Sequence, residues 1–255
     1  MAYKIVIDPG HGGFDDGAVY KGRLEKDDNL NLAQNIGELL AYNGFDVIFT
    51  RTDDTYLSPL ERTFIANEEK AELFVSVHRN SCPVPNTYRG VKSLIGKESE
   101  INRVIAENIN RELSKLGFPD LGVDTRNELA VLRRTNMPAL LVETGFINAD
   151  RDNELFDSHM NQIAYGICAG IINGLQTGND TGPVYRVQVG LFRVLSNAQS
   201  LQNSLINAGY DVLLVPQGDY FAVQVGGFSN MDDAAMLEQR LREQGYSTLI
   251  VRDDD

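Results

Sequence analysis

Tryptophan is missing from this chain, histidine occurs three times and cysteine twice. Cys82 and Cys168 have no C-x-x-C partner, which excludes a disulfide framework or a cysteine-built zinc site, and both read as reduced, structural thiols. Basic residues number 23 against 36 acidic ones, a net charge of -13. That balance argues against nucleic acid as a partner, because phosphate binding needs a basic face. No stretch approaches the roughly 18 apolar residues of a membrane helix, so no membrane span is expected. Met1-Ala2-Tyr3 leads straight into an apolar run, without the basic segment and apolar h-region of a signal peptide. The expectation is a chain made in the cytoplasm, for which a substrate beyond the membrane would demand a release route. Hydrophobic residues make up 42% of the 255, enough for a real core in one large domain or two smaller ones.

Two segments carry different signatures. Over residues 1–176 strand-like and helix-like runs alternate. Tyr3–Ile7 reads as a strand, Leu32, Ile36, Leu39 and Leu40 form a stripe at helical spacing, and Asp46–Phe49 reads as a strand again. Ser58-Pro59-Leu60-Glu61 is a capping box with proline at the first helical position. Then follow a strand at Leu73–Val77, a helix over roughly Glu98–Leu116, a strand at Ala139–Val142 and a last helix carrying Ile163, Ile167, Ile171 and Leu175. This alternation predicts an α/β domain with a largely parallel, twisted sheet flanked by helices. Residues 177–183 are turn-rich and read as a linker. Beyond it, Tyr185–Phe192 recurs as Phe221–Phe228, each copy followed by a helical stretch, a Gly-Tyr turn and a short strand. The repeat predicts a second, small α+β domain over 184–255 with the ferredoxin-like βαββαβ arrangement.

The histidines fall where α/β proteins place their chemistry. His11 and His78 each follow directly on a strand, and Glu143 ends a third. Side chains at the C-terminal ends of neighbouring parallel strands converge on one sheet edge. Two imidazoles with nearby carboxylates there make an open zinc site. Alone, Asp8-Pro9-Gly10-His11-Gly12-Gly13 reads as a structural turn, with neither the lysine nor the spacing of a phosphate loop. Spacing alone does not separate Glu25 from Asp15, Asp16, Asp27 or Asp28 as the acid that joins the histidines, and a first-turn acid is also favoured by the helix dipole. Asn80, two residues past His78, is placed to support the site from behind the ligands. His159 reads as a helical residue away from any strand end.

Together, His11 in DPGHGG, Glu25, His78 in SVHRNS and Glu143 in LLVETGF resemble the zinc-dependent N-acetylmuramoyl-L-alanine amidases of the type-3 family, in family order and over nearly all of residues 1–176. The resemblance implies that His11, Glu25 and His78 bind Zn2+ and that Glu143 is catalytic. Two departures are Asp15-Asp16-Gly17-Ala18, where many members have Asp-Pro-Gly-Ala, and Arg79, at a position often small. They bear on loop shape and substrate contacts. The tail resembles the sporulation-related repeat domain, which binds peptidoglycan. Strand alternation then places Val187, Val189, Val223 and Val225 towards the helices, and Arg186, Gln188, Tyr220 and Gln224 on an open face suited to a sugar chain.

The implied reaction is hydrolysis of the amide between N-acetylmuramic acid and the L-alanine of the stem peptide, by zinc-activated water with Glu143 as proton carrier. The resemblance thus implies a wall hydrolase, either a sporulation autolysin or a phage endolysin, with peptidoglycan as partner. The competing readings are a zinc peptidase or sugar deacetylase on the same architecture, and a non-catalytic wall-binding protein.

Overall fold

The computed structural model describes residues 2–96, 99–177, 184–217, 219–228 and 230–253. The chain divides into two compact units, Met1–Gly178 and Asn179–Asp255.

The first unit runs β1 (Lys4–Pro9), β2 (Val19–Tyr20), β3 (Arg23–Leu24), α1 (Glu25–Tyr42), β4 (Asp46–Phe49), α2 (Pro59–Glu68), β5 (Leu73–Asn80) and β6 (Val91–Ile95). It continues with α3 (Glu100–Ser114), β7 (Asp120–Thr125), α4 (Ala130–Arg133), β8 (Ala139–Phe146), α5 (Asp150–Ser158) and α6 (Met160–Thr177). Six strands form one sheet in the order β4-β1-β5-β8-β6-β7. The first four are mutually parallel, as the alternating pattern predicts, but β6 lies antiparallel to β8, so the sheet is mixed. Both faces are covered, which is why the central strands are apolar throughout. Val6, Phe74 and Leu141 pack against Ala66 of α2 and Val131 and Leu132 of α4. On the other face α6 packs against α1 and α3. The Ser58–Glu61 capping box forms and fixes the start of α2.

Both cysteines are free. Among the described residues no helix is long and apolar enough to cross a membrane. His159 corrects an expectation. It caps α5 ahead of α6, where the sequence placed it within a helix. In the proposed linker, Thr177 closes α6 and residues 178–183 lie outside the described residues, as does Glu98 at the expected start of α3.

The second unit contains β9 (Val184–Phe192), α7 (Leu195–Asn207), β10 (Val212–Gln217), β11 (Tyr220–Phe228), α8 (Met231–Glu243) and β12 (Leu249–Asp253). Its antiparallel sheet has the order β10-β11-β9-β12, with the two repeat copies paired at the centre. This is the ferredoxin-like arrangement.

Candidate active site

The topology puts β5 between β1 and β8, so the strand that leads into His11 and the two that carry His78 and Glu143 are neighbours. Pro9 pairs with Val77, and His78 with Glu143. Glu25 is the first residue of α1, whose opening turn is acidic, as the helix dipole favours.

The loop after β1 is clamped from below. Asp8 is fully buried and accepts from Thr50, Ser76 and the Arg62 guanidinium. Arg62 also donates to the carbonyls of Pro9 and His11, and Arg51 to those of Pro9 and Gly10. These bonds hold His11 in the left-handed region at φ 63°. For a non-glycine residue that conformation costs energy and persists only where the surroundings dictate it.

Glu25 sits at the centre of the cluster, 4% exposed. Its Oε1 lies 3.2 Å from His11 Nε2 and 2.9 Å from His78 Nδ1, and accepts the Arg79 backbone N–H. Its Oε2 accepts the backbone N–H of Ala18 at 2.9 Å. Burial raises its pKa, but the hydrogen bonds and charges of the two imidazoles win and hold it well below the usual carboxylate range. His11 shows the counterpart. Burial alone would lower its pKa, yet Glu25 and Asp15 hold it at about 9. Gly17 has φ 65°, and a Cβ there would stand 2.7 Å from both Glu25 Oε2 and His11 Cδ2, so glycine is required on both counts.

One donor atom each from His11, Glu25 and His78 lies within 4.8 Å of the others, a group that could hold a metal ion. Two imidazoles and one carboxylate suit zinc, and three protein ligands would leave its fourth position to water. Beside this group, Glu143 Oε2 is closed off from solvent and has no hydrogen-bond partner among the described residues. Burial pushes its pKa up to about 7, with Glu25 adding to the rise and His78 opposing it.

Other expected residues stand differently. Arg79 is 2% exposed, and its side chain stacks on Phe156 at 4.0 Å and pairs with Asp28 and Asn153. Burial pulls its pKa down to about 10. A guanidinium committed in this way does not reach a substrate, so that half of the expectation is corrected, and the contribution of Arg79 to the cluster is its backbone N–H. Asn80 turns its Oδ1 to the Ser81 N–H, and no bond joins it to the cluster among the described residues. Asp15, which spacing alone left among several acids, has a definite place. Its Oδ2 lies 2.9 Å from His11 Nδ1 and its Oδ1 accepts the Gly17 N–H.

In the second unit the four expected valines are buried. Arg186 and Gln224 correct the expectation of an open face, for each is only 2% exposed, and Arg186 donates to the Gly226 carbonyl. Gln188 and Tyr220 are half-buried, and Arg193 donates to the Tyr220 hydroxyl at 2.9 Å.

Comparison with known proteins agrees with this arrangement. The family profile of N-acetylmuramoyl-L-alanine amidase matches residues 5–173, and that of the SPOR domain residues 181–252. The chain is 34% identical over 217 residues to the N-acetylmuramoyl-L-alanine amidase CwlM of Bacillus licheniformis, covering 83% of this chain and 84% of the relative. It is 35% identical over 222 residues to the sporulation-specific N-acetylmuramoyl-L-alanine amidase of Bacillus subtilis, with the same coverage of 83% and 84%. A crystal structure of an N-acetylmuramoyl-L-alanine amidase from Clostridium difficile 630 superposes with a TM-score of 0.65 at 34% identity, over 69% of this chain and 98% of that one. The fold, the cluster at the strand ends and these matches lead to one assignment: the chain belongs to the N-acetylmuramoyl-L-alanine amidase family and carries a C-terminal SPOR domain.

Proposed function

We propose that the chain hydrolyses peptidoglycan at the amide between N-acetylmuramic acid and the L-alanine of the stem peptide, in a zinc-dependent reaction at His11, Glu25 and His78. The observation that carries this reading is the convergence of those three donors beside a carboxylate, Glu143, whose buried oxygen has no partner among the described residues. Zinc held there would supply Lewis acidity to the scissile carbonyl and lower the pKa of the attacking water. Asp15 orients the His11 ring through Nδ1, and the backbone N–H groups of Ala18 and Arg79 orient Glu25. Glu143, poised at about 7 by burial, is suited to take a proton on Oε2 from water and return it to the leaving amine nitrogen. The SPOR unit is proposed to hold the enzyme on its insoluble substrate, with half-buried Tyr220 as the member of the expected glycan-binding set left to meet it.

Mass analysis of digested, purified peptidoglycan tests this function. Free L-alanine amino termini without new reducing ends are expected. Their loss on chelation and recovery on adding zinc are expected as well. Release of acetate would mark a deacetylase, and an undigested wall would mark a binding protein.

A further inference from the structure

Among the described residues Phe14 is a large apolar side chain left 80% exposed, and Tyr56 beside it is 36% exposed. Their rings stack with centroids 4.1 Å apart at an interplanar angle of 31°. Single exposed apolar residues are ordinary on a protein surface. A stacked pair on a braced frame next to a catalytic centre is not accounted for by packing.

The frame is specific. Gly12 and Asp15 form a reciprocal backbone pair, 2.9 and 3.1 Å, that closes a two-residue turn with Gly13 and Phe14 at its tip. Gly13 takes φ 59°, as a type II′ turn requires at its first central position. At the base of this turn, Asp15 holds His11. On its flank, Asp54 accepts the Gly13 N–H at 2.8 Å, and Lys26 donates to the Gly13 carbonyl and to Asp54. The segment bearing Tyr56 is thereby fixed against the turn bearing Phe14. One turn orients a proposed metal ligand at its base and presents an aromatic face to solvent at its tip.

We propose that Phe14 and Tyr56 form a carbohydrate subsite, a platform on which a sugar ring of the glycan strand stacks while the adjoining amide enters the active site; this rests on the amide-cleavage reading above. A pyranose ring offers a flat face of C–H groups with partial positive charge, which suits the negative face of an aromatic ring. The surrounding groups favour a sugar over the stem peptide. Asp15 closes the turn that carries Phe14 and Asp54 accepts the Gly13 N–H on its flank, and carboxylates accept hydrogen bonds from sugar hydroxyls but repel the carboxylates of a peptide.

The test uses full-length protein and a soluble disaccharide–peptide, N-acetylglucosaminyl-N-acetylmuramoyl with its stem peptide. Phe14→Leu keeps apolar bulk and removes the π face, whereas Phe14→Tyr keeps the face. Phe14→Leu should raise KM about three- to tenfold, leave kcat and zinc content unchanged, and weaken calorimetric binding of the same disaccharide–peptide by the same factor. Phe14→Tyr should restore both. Unchanged KM and Kd in Phe14→Leu, or equal losses in the Leu and Tyr variants, would overturn the subsite. If wild-type protein cleaves nothing, the amide-cleavage reading fails, and the Kd of Phe14→Leu against wild type still decides the subsite.

Discussion

Asp15 Oδ2 stands 2.9 Å from Nδ1 of His11, while Nε2 of the same ring faces Glu25 Oε1 at 3.2 Å. One carboxylate therefore fixes which imidazole nitrogen is turned to the centre of the cluster. Carboxylates that hold a metal-binding histidine typically carry a 10- to 100-fold share of metal affinity. Asp15→Asn keeps the shape and removes the charge, so zinc affinity should fall by roughly 10- to 100-fold in competition against a chromophoric chelator. Affinity equal to wild type would show that Asp15 does not support the metal.

Zinc uptake should expel protons. Without metal, burial would lower the His11 pKa, but Glu25 and Asp15 hold it at about 9. A metal-binding imidazole must be neutral. Below about pH 9 the bound proton must leave as zinc enters, so affinity rises with pH across the neutral range and levels off above that value. Calorimetric titration near neutral pH, in buffers of different ionisation enthalpy, should give about one proton released per zinc from His11. Affinity independent of pH between 6 and 8 would contradict this.

Glu143→Gln preserves size and cannot carry the proton. The expected loss of rate is roughly 10²- to 10⁴-fold, the usual worth of a positioned acid and base, with zinc stoichiometry by metal analysis unchanged. A variant that loses its zinc would make Glu143 a ligand and reopen the role of Glu25.

Gly17→Ala should strip the metal from a folded protein. The new Cβ would stand 2.7 Å from Glu25 Oε2 and His11 Cδ2, on a backbone with φ 65°. The strain should cost about 1–3 kcal/mol of stability, while zinc content falls well below one per chain. Full zinc occupancy in the variant would mean that the loop relaxes without disturbing its neighbours.

The SPOR unit should contribute affinity and not chemistry, because every proposed catalytic group lies in Met1–Gly178. A chain ending at Gly178 should bind zinc and cleave soluble muropeptides at close to the full-length rate. On insoluble wall it should be slower, since tethering raises the local concentration of enzyme at its substrate. Equal rates on insoluble wall would remove the tethering role.

What could be read from the sequence follows what hydrophobic pattern encodes. His11, His78 and Glu143 stood out because each abuts a buried apolar strand, and strand ends are located by that run. Strand β6 was missed because Lys92 and Ser93 interrupt its apolar run. Strand β7 was missed because Asp120–Thr125 is an edge strand, almost wholly exposed, whose two apolar side chains Leu121 and Val123 make no run. With them went the antiparallel β6–β8 pairing. Asp15 could not be told from Asp16 because the direction of each side chain depends on a turn whose glycine conformation no periodicity reports. Alternation assigns a sheet face but not what covers it, so Arg186 and Gln224 were expected in the open and lie buried.

The pairing of β1, β5 and β8 also sets how this enzyme can fail. A slip of one residue between strands turns every side chain to the opposite face. His78 pairs with Glu143, and Val77 with Pro9, in the middle of the sheet. Register is thus part of the metal specification. A change at fully buried Val75 or Val77 that loosens these strands would separate the donors before it melted the domain. Among destabilised variants, loss of zinc would come at a milder insult than loss of fold, and a protein that still looks native by its backbone could already be inert towards the wall.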